Sequence, residues 1–194
     1  MYWQVYLHKT TVAVETLLIN LIKRAKKLAV GGKLETRNKA LQIFLHNNFK
    51  LKDFIADEKI LKSFLLLDDN DIWGSIKIWQ YHDDRVLSKL SRMLIERDLF
   101  KIRIFNKPIT KDIRDSIIRE VMNQFHITEY EASYFVTDGI LSNAAYELTN
   151  SKINVLMKSG DIVDIASASD LPNIKAMSKI VKKYYLCVPK SVSL

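Results

Sequence analysis

The first ten residues carry side chains that suit nucleotide recognition. Tyr2, Tyr6 and Lys9 are spaced by four and three residues, so a helix would place them on one face. Trp3 and His8 flank that face. A tyrosine can stack on a base or contact a sugar, and a lysine suits phosphate. The same pattern also fits an aromatic patch that packs against another helix with its lysine turned outward, so both interpretations stay open.

Histidine is scarce, which limits the metal chemistry that the chain can support. A catalytic metal site built from an HD dipeptide needs that pair on a helix, together with further His and Asp ligands. His82 and Asp83 form such a dipeptide, but the residues around them predict a connection between two helices. We therefore interpret the dipeptide as a loop and expect no metal ligand in this chain. The four histidines are His8, His46, His82 and His126.

Other catalytic motifs are missing from the sequence. It contains no nucleophile elbow, no Walker A loop and no GxGxxG motif. The single cysteine, Cys187, falls in a predicted buried strand, where a thiol is usually inert. The acidic run from Asp68 to Asp71 lacks the glycine and distal glutamate of a calcium-binding loop, and it is typical of helix capping. We predict no catalytic residue in this chain.

Three segments carry a family resemblance. Residues 4–10 (QVYLHKT), 67–69 (LDD) and 97–101 (RDLFK) together resemble the C-terminal part of HD-superfamily phosphohydrolases of the deoxynucleoside-triphosphate triphosphohydrolase type. The resemblance covers residues 1–101 best. It implies that the metal-binding half of the enzyme lies upstream of Met1, together with the divalent metal.

The resemblance also implies specific roles for residues of this chain. Tyr6 matches a tyrosine that faces the substrate deoxynucleoside. The remaining matched positions correspond to contacts with the phosphates of an effector nucleotide, dNTP or GTP-like: His8, Lys9, Arg97, Leu99 and Lys101.

These observations lead to one main hypothesis and two alternatives. The main one is a C-terminal portion of a dNTP triphosphohydrolase-like enzyme, which contributes nucleotide contacts and a homo-oligomer interface and is inactive alone. The first alternative is a non-catalytic interaction module. The second, less favoured, is a nucleic-acid binder, because the basic charge lacks a zinc-ligand or ribonucleoprotein motif beside it.

Composition supports a protein that binds anions inside a reducing compartment. The 194 residues carry a net charge of +8, and nucleotide phosphates are one explanation of this excess. No apolar run is long enough for a membrane span, and residues 1–30 lack the pattern of a signal peptide. A single cysteine excludes an internal disulfide. We expect a cytoplasmic protein without membrane contact.

The first half of the chain is predicted to be helical. Apolar residues recur at helical spacing in residues 2–29, which Gly31 and Gly32 end, and the cations from Lys23 to Lys27 are expected to form a solvated helix end. Asp57 is predicted to cap the helix at 57–66. Further helices are predicted at 37–48, 57–66 and 84–97, and one more follows residues 68–70, which offer caps for it.

The second half mixes strands with helices. Residues 100–105 alternate apolar and basic side chains, which predicts a half-buried strand. Thr110 is predicted to cap a helix that runs to Phe125, and Thr128 with Glu131 fits a capping box. Further strands are predicted at 134–140, 153–158, 161–166 and 180–188, and a loop or short helix at 171–178. The order predicts an α+β fold in which a helical part (1–99) and an α+β lobe (100–194) pack as one unit.

Overall fold

Helices make up the first half of the chain, as the sequence predicts. The computed structural model describes residues 7–142, 154–164 and 182–192. The predicted loop or short helix at 171–178 lies outside these residues. The helices and strands of the described residues are α1 (Lys9–Val30), α2 (Lys39–His46), α3 (Leu51–Ala56), α4 (Glu58–Leu65), α5 (Asp69–Trp79), α6 (Arg85–Ile95), β1 (Lys101–Phe105), α7 (Lys111–Phe125), α8 (Glu129–Ala132), β2 (Thr137–Ser142), β3 (Asn154–Leu156), β4 (Ile162–Asp164) and β5 (Lys182–Val188).

Side-chain caps start four of the described helices where the sequence predicts them. The carboxylates of Asp57, Asp68 and Asp84 each accept a backbone N–H in the first turn of the helix that follows. Thr128 and Glu131 form the predicted capping box at α8. Acceptors at these positions satisfy amides that would otherwise lack a partner, which is why the boundaries of α4, α5, α6 and α8 follow from sequence.

Helix α1 begins later than predicted. His8 has an extended backbone, and its Nδ1 accepts a hydrogen bond from the amide of Thr10 over 3.3 Å, so the helix starts at Lys9. The prediction that the helix already includes residues 7 and 8 is wrong, because His8 serves as the cap. At the other end Gly32, with φ of +67°, ends the helix as predicted.

An antiparallel sheet lies between two helices. Its strand order is β1-β5-β2, with β5 in the middle, and β3 pairs with β4 in a separate hairpin. Cys187 of β5 faces α1 through a 3.8 Å contact between its Sγ and Thr16 Oγ1. On the opposite face Leu186 lines a cleft with Ile117 of α7. The predicted α+β class is confirmed, with a helical first half and a small antiparallel sheet.

One hydrophobic core runs through both halves of the chain. Leu17 and Leu21 of α1, Leu87 and Leu90 of α6, and Leu186 of β5 are all fully buried. Apolar residues at these positions hold α1 between α6 and the sheet. The division into two domains at residue 99 stays a prediction. No helix among the described residues combines the length and the apolar character needed to cross a membrane.

Candidate functional site

The residues expected to bind nucleotide at the start of the chain fall on a helix end. Lys9 is the first residue of α1 and is exposed, and His8 is its cap. Tyr6 lies outside the described residues. Because the helix starts at Lys9, helical spacing does not relate Lys9 to Tyr6, and the single helical face predicted from that spacing is wrong. The roles of Tyr6, His8 and Lys9 in nucleotide binding stay predictions.

The second predicted group occupies the junction between α6 and β1. Arg97 is exposed and has a left-handed backbone with φ of 57°, which is uncommon for a residue with a side chain. Lys101 is the first residue of β1 and points away from the core. Leu99 is half-buried and packs against the hydrophobic core, so its described contacts are structural. Arg97 and Lys101 are two exposed cations four positions apart, and both remain candidates for phosphate binding.

The structure brings the two groups onto neighbouring elements. Helix α1 packs against β1, which connects the element that carries Lys9 to the element that carries Lys101. Within the part of the chain that the structure describes, no hydrogen bond or ion pair joins Lys9 to Arg97 or Lys101. The contribution of each group to the phosphates of an effector nucleotide stays a prediction.

A buried polar stripe on α1 is the feature that the sequence prediction missed. Thr16, Asn20 and Arg24 are spaced by four residues, and all three are at most 8% exposed. The prediction that Arg24 belongs to a solvated helix end is wrong. Leu17, Leu21 and Leu28 occupy the same buried side of the helix, so the helical phase of position 24 was the signal that could have identified it.

Arg24 sits at the centre of a charged network. Its Nε and one terminal nitrogen donate to the two carboxylate oxygens of Asp84 over 3.0 and 2.6 Å. The same nitrogen lies 3.5 Å from a carboxylate oxygen of Glu131, and the guanidinium carbon lies 5.4 Å from the centre of the Tyr134 ring. This bidentate geometry fixes the orientation of the guanidinium.

The network shifts the pKa values of its members in the directions that its contacts dictate. Burial alone would raise the pKa of Asp84, but hydrogen bonds from Arg24 and from the Leu87 amide outweigh it and hold that pKa below its usual value. Burial and a 2.9 Å hydroxyl contact with Tyr130 raise the pKa of Tyr134 to about 12. At neutral pH Asp84 is therefore charged and Tyr134 is a neutral phenol.

Asn20 connects α1 to the loop between α8 and β2. Its Nδ2 donates to the carbonyl of Tyr134 over 3.0 Å and to Oγ1 of Thr137 over 2.8 Å. An open cleft of about 340 Å³ lies over these groups, and Lys23 and Arg114 stand on its rim. Arg114 is already paired with Asp138 over 3.0 Å. The described contacts of the cleft are thus mostly internal, and they tie α1 to the lobe.

The histidines other than His8 occupy positions that local structure explains. Nδ1 of His82 accepts the amide of Asp84 over 2.9 Å, so Nε2 carries the proton and donates to the carbonyl of Lys33 over 3.0 Å. His46 contacts Gln42 within α2, and His126 ends α7 in the left-handed conformation. The described residues contain no group of three or more His, Cys, Asp or Glu side chains that could hold a metal. They do not fit the divalent metal that the resemblance implies, so we assign no step to one here.

Comparison with known proteins adds evidence for a phosphohydrolase. The chain is 43% identical to a phosphohydrolase (BT4208) from Bacteroides thetaiotaomicron VPI-5482, and the two structures agree with a TM-score of 0.83. The match covers 98% of this chain and 47% of that protein. The chain is similar to part of a phosphohydrolase.

A second relative shows the same partial coverage. The uncharacterized protein YwfO of Bacillus subtilis (strain 168) is 26% identical over 176 residues, which span 87% of this chain and 38% of YwfO. No protein-family model matches the sequence. The chain thus spans less than half the length of either relative. The predicted resemblance to phosphohydrolases is confirmed, and its narrower assignment to the HD dNTP triphosphohydrolases stays a prediction.

Proposed function

We propose that this chain is a nucleotide-contacting portion of a phosphohydrolase of the dNTP triphosphohydrolase type. The observation that carries the proposal is the 43% identity to a phosphohydrolase over 98% of the chain. In this proposal the chain supplies nucleotide contacts and an oligomer interface, and the hydrolytic centre belongs to residues other than those described above. Its partners are a dNTP or GTP-like nucleotide and further copies of the same protein.

The surface at the start of α1 and at the α6–β1 junction supports the nucleotide part of the proposal. Lys9, Arg97 and Lys101 are exposed, and within the described residues none of them forms a salt bridge. A left-handed backbone at a non-glycine residue such as Arg97 is strained, and strain of this kind concentrates at functional sites. Cations with no acidic partner can neutralise phosphate charge without first breaking an ion pair.

An activity assay tests whether the chain is catalytic alone. We expect no release of triphosphate when the purified chain is mixed with each dNTP and Mg²⁺ or Mn²⁺. The physical reason is that the described His and carboxylate side chains are spread over separate elements and do not converge on one point. Robust, metal-dependent turnover that survives repeated purification would contradict this part of the proposal.

Nucleotide binding can be tested separately by calorimetric titration of the chain with dATP and dGTP. We expect Lys9→Gln, Arg97→Gln and Lys101→Gln each to weaken binding by about tenfold, the effect of losing one charge-assisted hydrogen bond. Lys107→Gln is the matched control, because it removes the same charge from an exposed residue just beyond the other end of β1. Equal effects of all four substitutions would show that only net charge matters.

An interaction module is the second candidate, and one surface favours it. Helices α3 and α4 contain no buried residue, although they carry large apolar side chains. Leu51 and Ile55 are 77% and 78% exposed, and Leu65 and Leu66 are 71% and 74% exposed. Apolar patches of this kind mark contact surfaces. If the chain is an interaction module, light scattering after gel filtration will show an oligomer that Ile55→Lys with Leu65→Lys converts to monomer, and calorimetric titration with dATP and dGTP will show no binding.

A further inference from the structure

The outer face of α6 carries three cations that form no salt bridge with a carboxylate of the described residues. Arg85, Lys89 and Arg92 are spaced by four and three residues, so they share one side of the helix. None of the three forms a salt bridge with another described residue. They line an open cleft of about 450 Å³, which Ser88, Gln124 and Phe125 also line.

Two of these cations are held in place without losing their charge. The Nζ of Lys89 lies 4.2 Å from the centre of the Phe125 ring, and that ring is itself fixed edge-on against Phe135 at 5.2 Å. The Nε of Arg92 donates to the backbone carbonyl of Gln80 over 3.1 Å, which leaves both terminal nitrogens for a ligand. A solvated lysine or arginine would sample many rotamers, whereas these two have already lost part of that entropy.

The third cation occupies a position that helices usually avoid. Arg85 is the first residue of α6, and the first turn of that helix contains no acidic residue. The N-terminal end of a helix carries partial positive charge, and the carboxylate at that end, the Asp84 cap, is already paired with Arg24 of α1. The two carboxylates of the cleft, Glu96 and Asp98, lie beyond the C-terminal end of α6, and Asp98 is paired with Lys190 over 3.2 Å.

We infer that this cleft binds the phosphates of a polyphosphate ligand. Arg85 and Arg92 are seven residues apart, which corresponds to about 10 Å along a helix. Cations spread over that distance suit a chain of phosphates better than a single one. The guanidinium of Arg92 grips one phosphate with its terminal nitrogens, Lys89 contacts the next, and Arg85 contacts the phosphate nearest the start of α6. The site differs from the nucleotide contacts proposed above and does not depend on them.

Calorimetric titration with inorganic tripolyphosphate, orthophosphate and dATP tests the inference on the whole chain. We expect tripolyphosphate to bind at least about tenfold more tightly than orthophosphate, because only the longer anion reaches more than one cation. Arg85→Gln, Lys89→Gln and Arg92→Gln should each weaken tripolyphosphate binding by about five- to tenfold. Lys89→Arg should retain binding, and Lys107→Gln, which removes an exposed lysine outside the cleft, should leave it unchanged.

The dATP titration identifies the source of the phosphates. Loss of dATP binding in the same three variants supports a nucleotide ligand, and retention of tripolyphosphate binding alone supports an inorganic one. Thermal unfolding of each variant, unchanged from the parent chain, shows that the protein still folds. No binding of tripolyphosphate at low salt overturns the inference. The inference is also overturned if substitutions at Lys9, Arg97 and Lys101 weaken tripolyphosphate binding and substitutions at Lys89 and Arg92 do not. That outcome supports the proposed function instead.

Discussion

Replacement of Arg24 by methionine is the most direct test of the polar network on α1. Methionine replaces the unbranched apolar stem of arginine with one of similar length and removes the guanidinium with its charge and donors. Asp84, whose side chain is 15% exposed, would lose both hydrogen bonds from the guanidinium, and Glu131, whose side chain is 27% exposed, would lose its ion pair. Two carboxylates would then remain in a mostly buried position without a cation.

The expected cost follows from the burial of the pair. Removing one partner of a buried ion pair destabilises a protein by about 3–5 kcal/mol, and the residual exposure of Asp84 and Glu131 favours the lower end, about 3 kcal/mol. Arg24→Met with Asp84→Asn should cost about 2 kcal/mol less than the sum of the two single changes, because the double variant buries no uncompensated Asp84 charge. Asparagine can still accept the amide of Leu87 and cap α6.

Urea unfolding followed by tryptophan fluorescence measures these differences. Lys23→Met is the matched control, since it removes the neighbouring, exposed cation of the same helix. The reasoning would be refuted if Arg24→Met cost no more than Lys23→Met, or if the double variant showed no coupling.

The pH dependence of the free energy of unfolding is an independent check on the pair of Arg24 and Asp84. The folded-state pKa of Asp84 lies below its unfolded value of about 3.9, so its contribution to stability is fully present above that value. That contribution is lost as the pH falls through the lower folded-state pKa. Without the guanidinium, burial raises the pKa of Asp84 in Arg24→Met, so the stability gap between the parent chain and this variant should be largest at neutral pH and should narrow steadily as the pH falls into the acid range.

Three further outcomes are expected from single positions. A Cβ at Gly139 would lie 2.6 Å from the Tyr185 ring, so Gly139→Ala should destabilise the sheet by about 2 kcal/mol in urea unfolding, and adding Tyr185→Leu should recover part of this loss. Arg97→Gly should raise the free energy of unfolding by about 0.5–1 kcal/mol, because glycine accepts the left-handed backbone; a loss of stability would show that the Arg97 side chain stabilises the fold. Burial raises the pKa of Cys187 to about 11, so a thiol reagent at neutral pH should modify it in urea but not in the native chain, and equal rates in both would contradict its burial.

Local capping chemistry was readable from the sequence, and its exceptions have physical reasons. Asp57, Asp68 and Asp84 marked helix starts because a carboxylate beside the first free amides is the commonest solution there. The short helix α3 was missed because Lys50 precedes it, and lysine is not a usual cap; Asp53 instead reaches back to the Lys50 amide over 2.7 Å. The predicted start of α1 is wrong because His8 caps the helix: its imidazole accepts the amide of Thr10.

Non-local pairing could not be read from the sequence. The strands at 101–105, 137–142 and 182–188 were predicted approximately, but β5 inserts between β1 and β2 although it follows both in the chain. Which strands become neighbours depends on the faces that α1 and α7 cover, and these are set by tertiary packing. For the same reason the partners of Arg24, which lie 60 and 107 positions away at Asp84 and Glu131, had no local signal.

The polar stripe explains why α1 can hold its N-terminal cation in a defined place. Apolar contacts alone tolerate small rotations and shifts of a helix, because they have no preferred direction. Thr16 contacts β5, Asn20 donates to the first residue of β2, and Arg24 donates to the cap of α6, so three directional contacts fix both the rotation and the axial position of α1. Since β1 follows α6 and packs on α1, the same contacts also set the distance between Lys9 and Lys101. If Lys9 and Lys101 bind nucleotide as proposed, Arg24→Met should weaken dATP binding in calorimetric titration even though Arg24 contacts neither lysine.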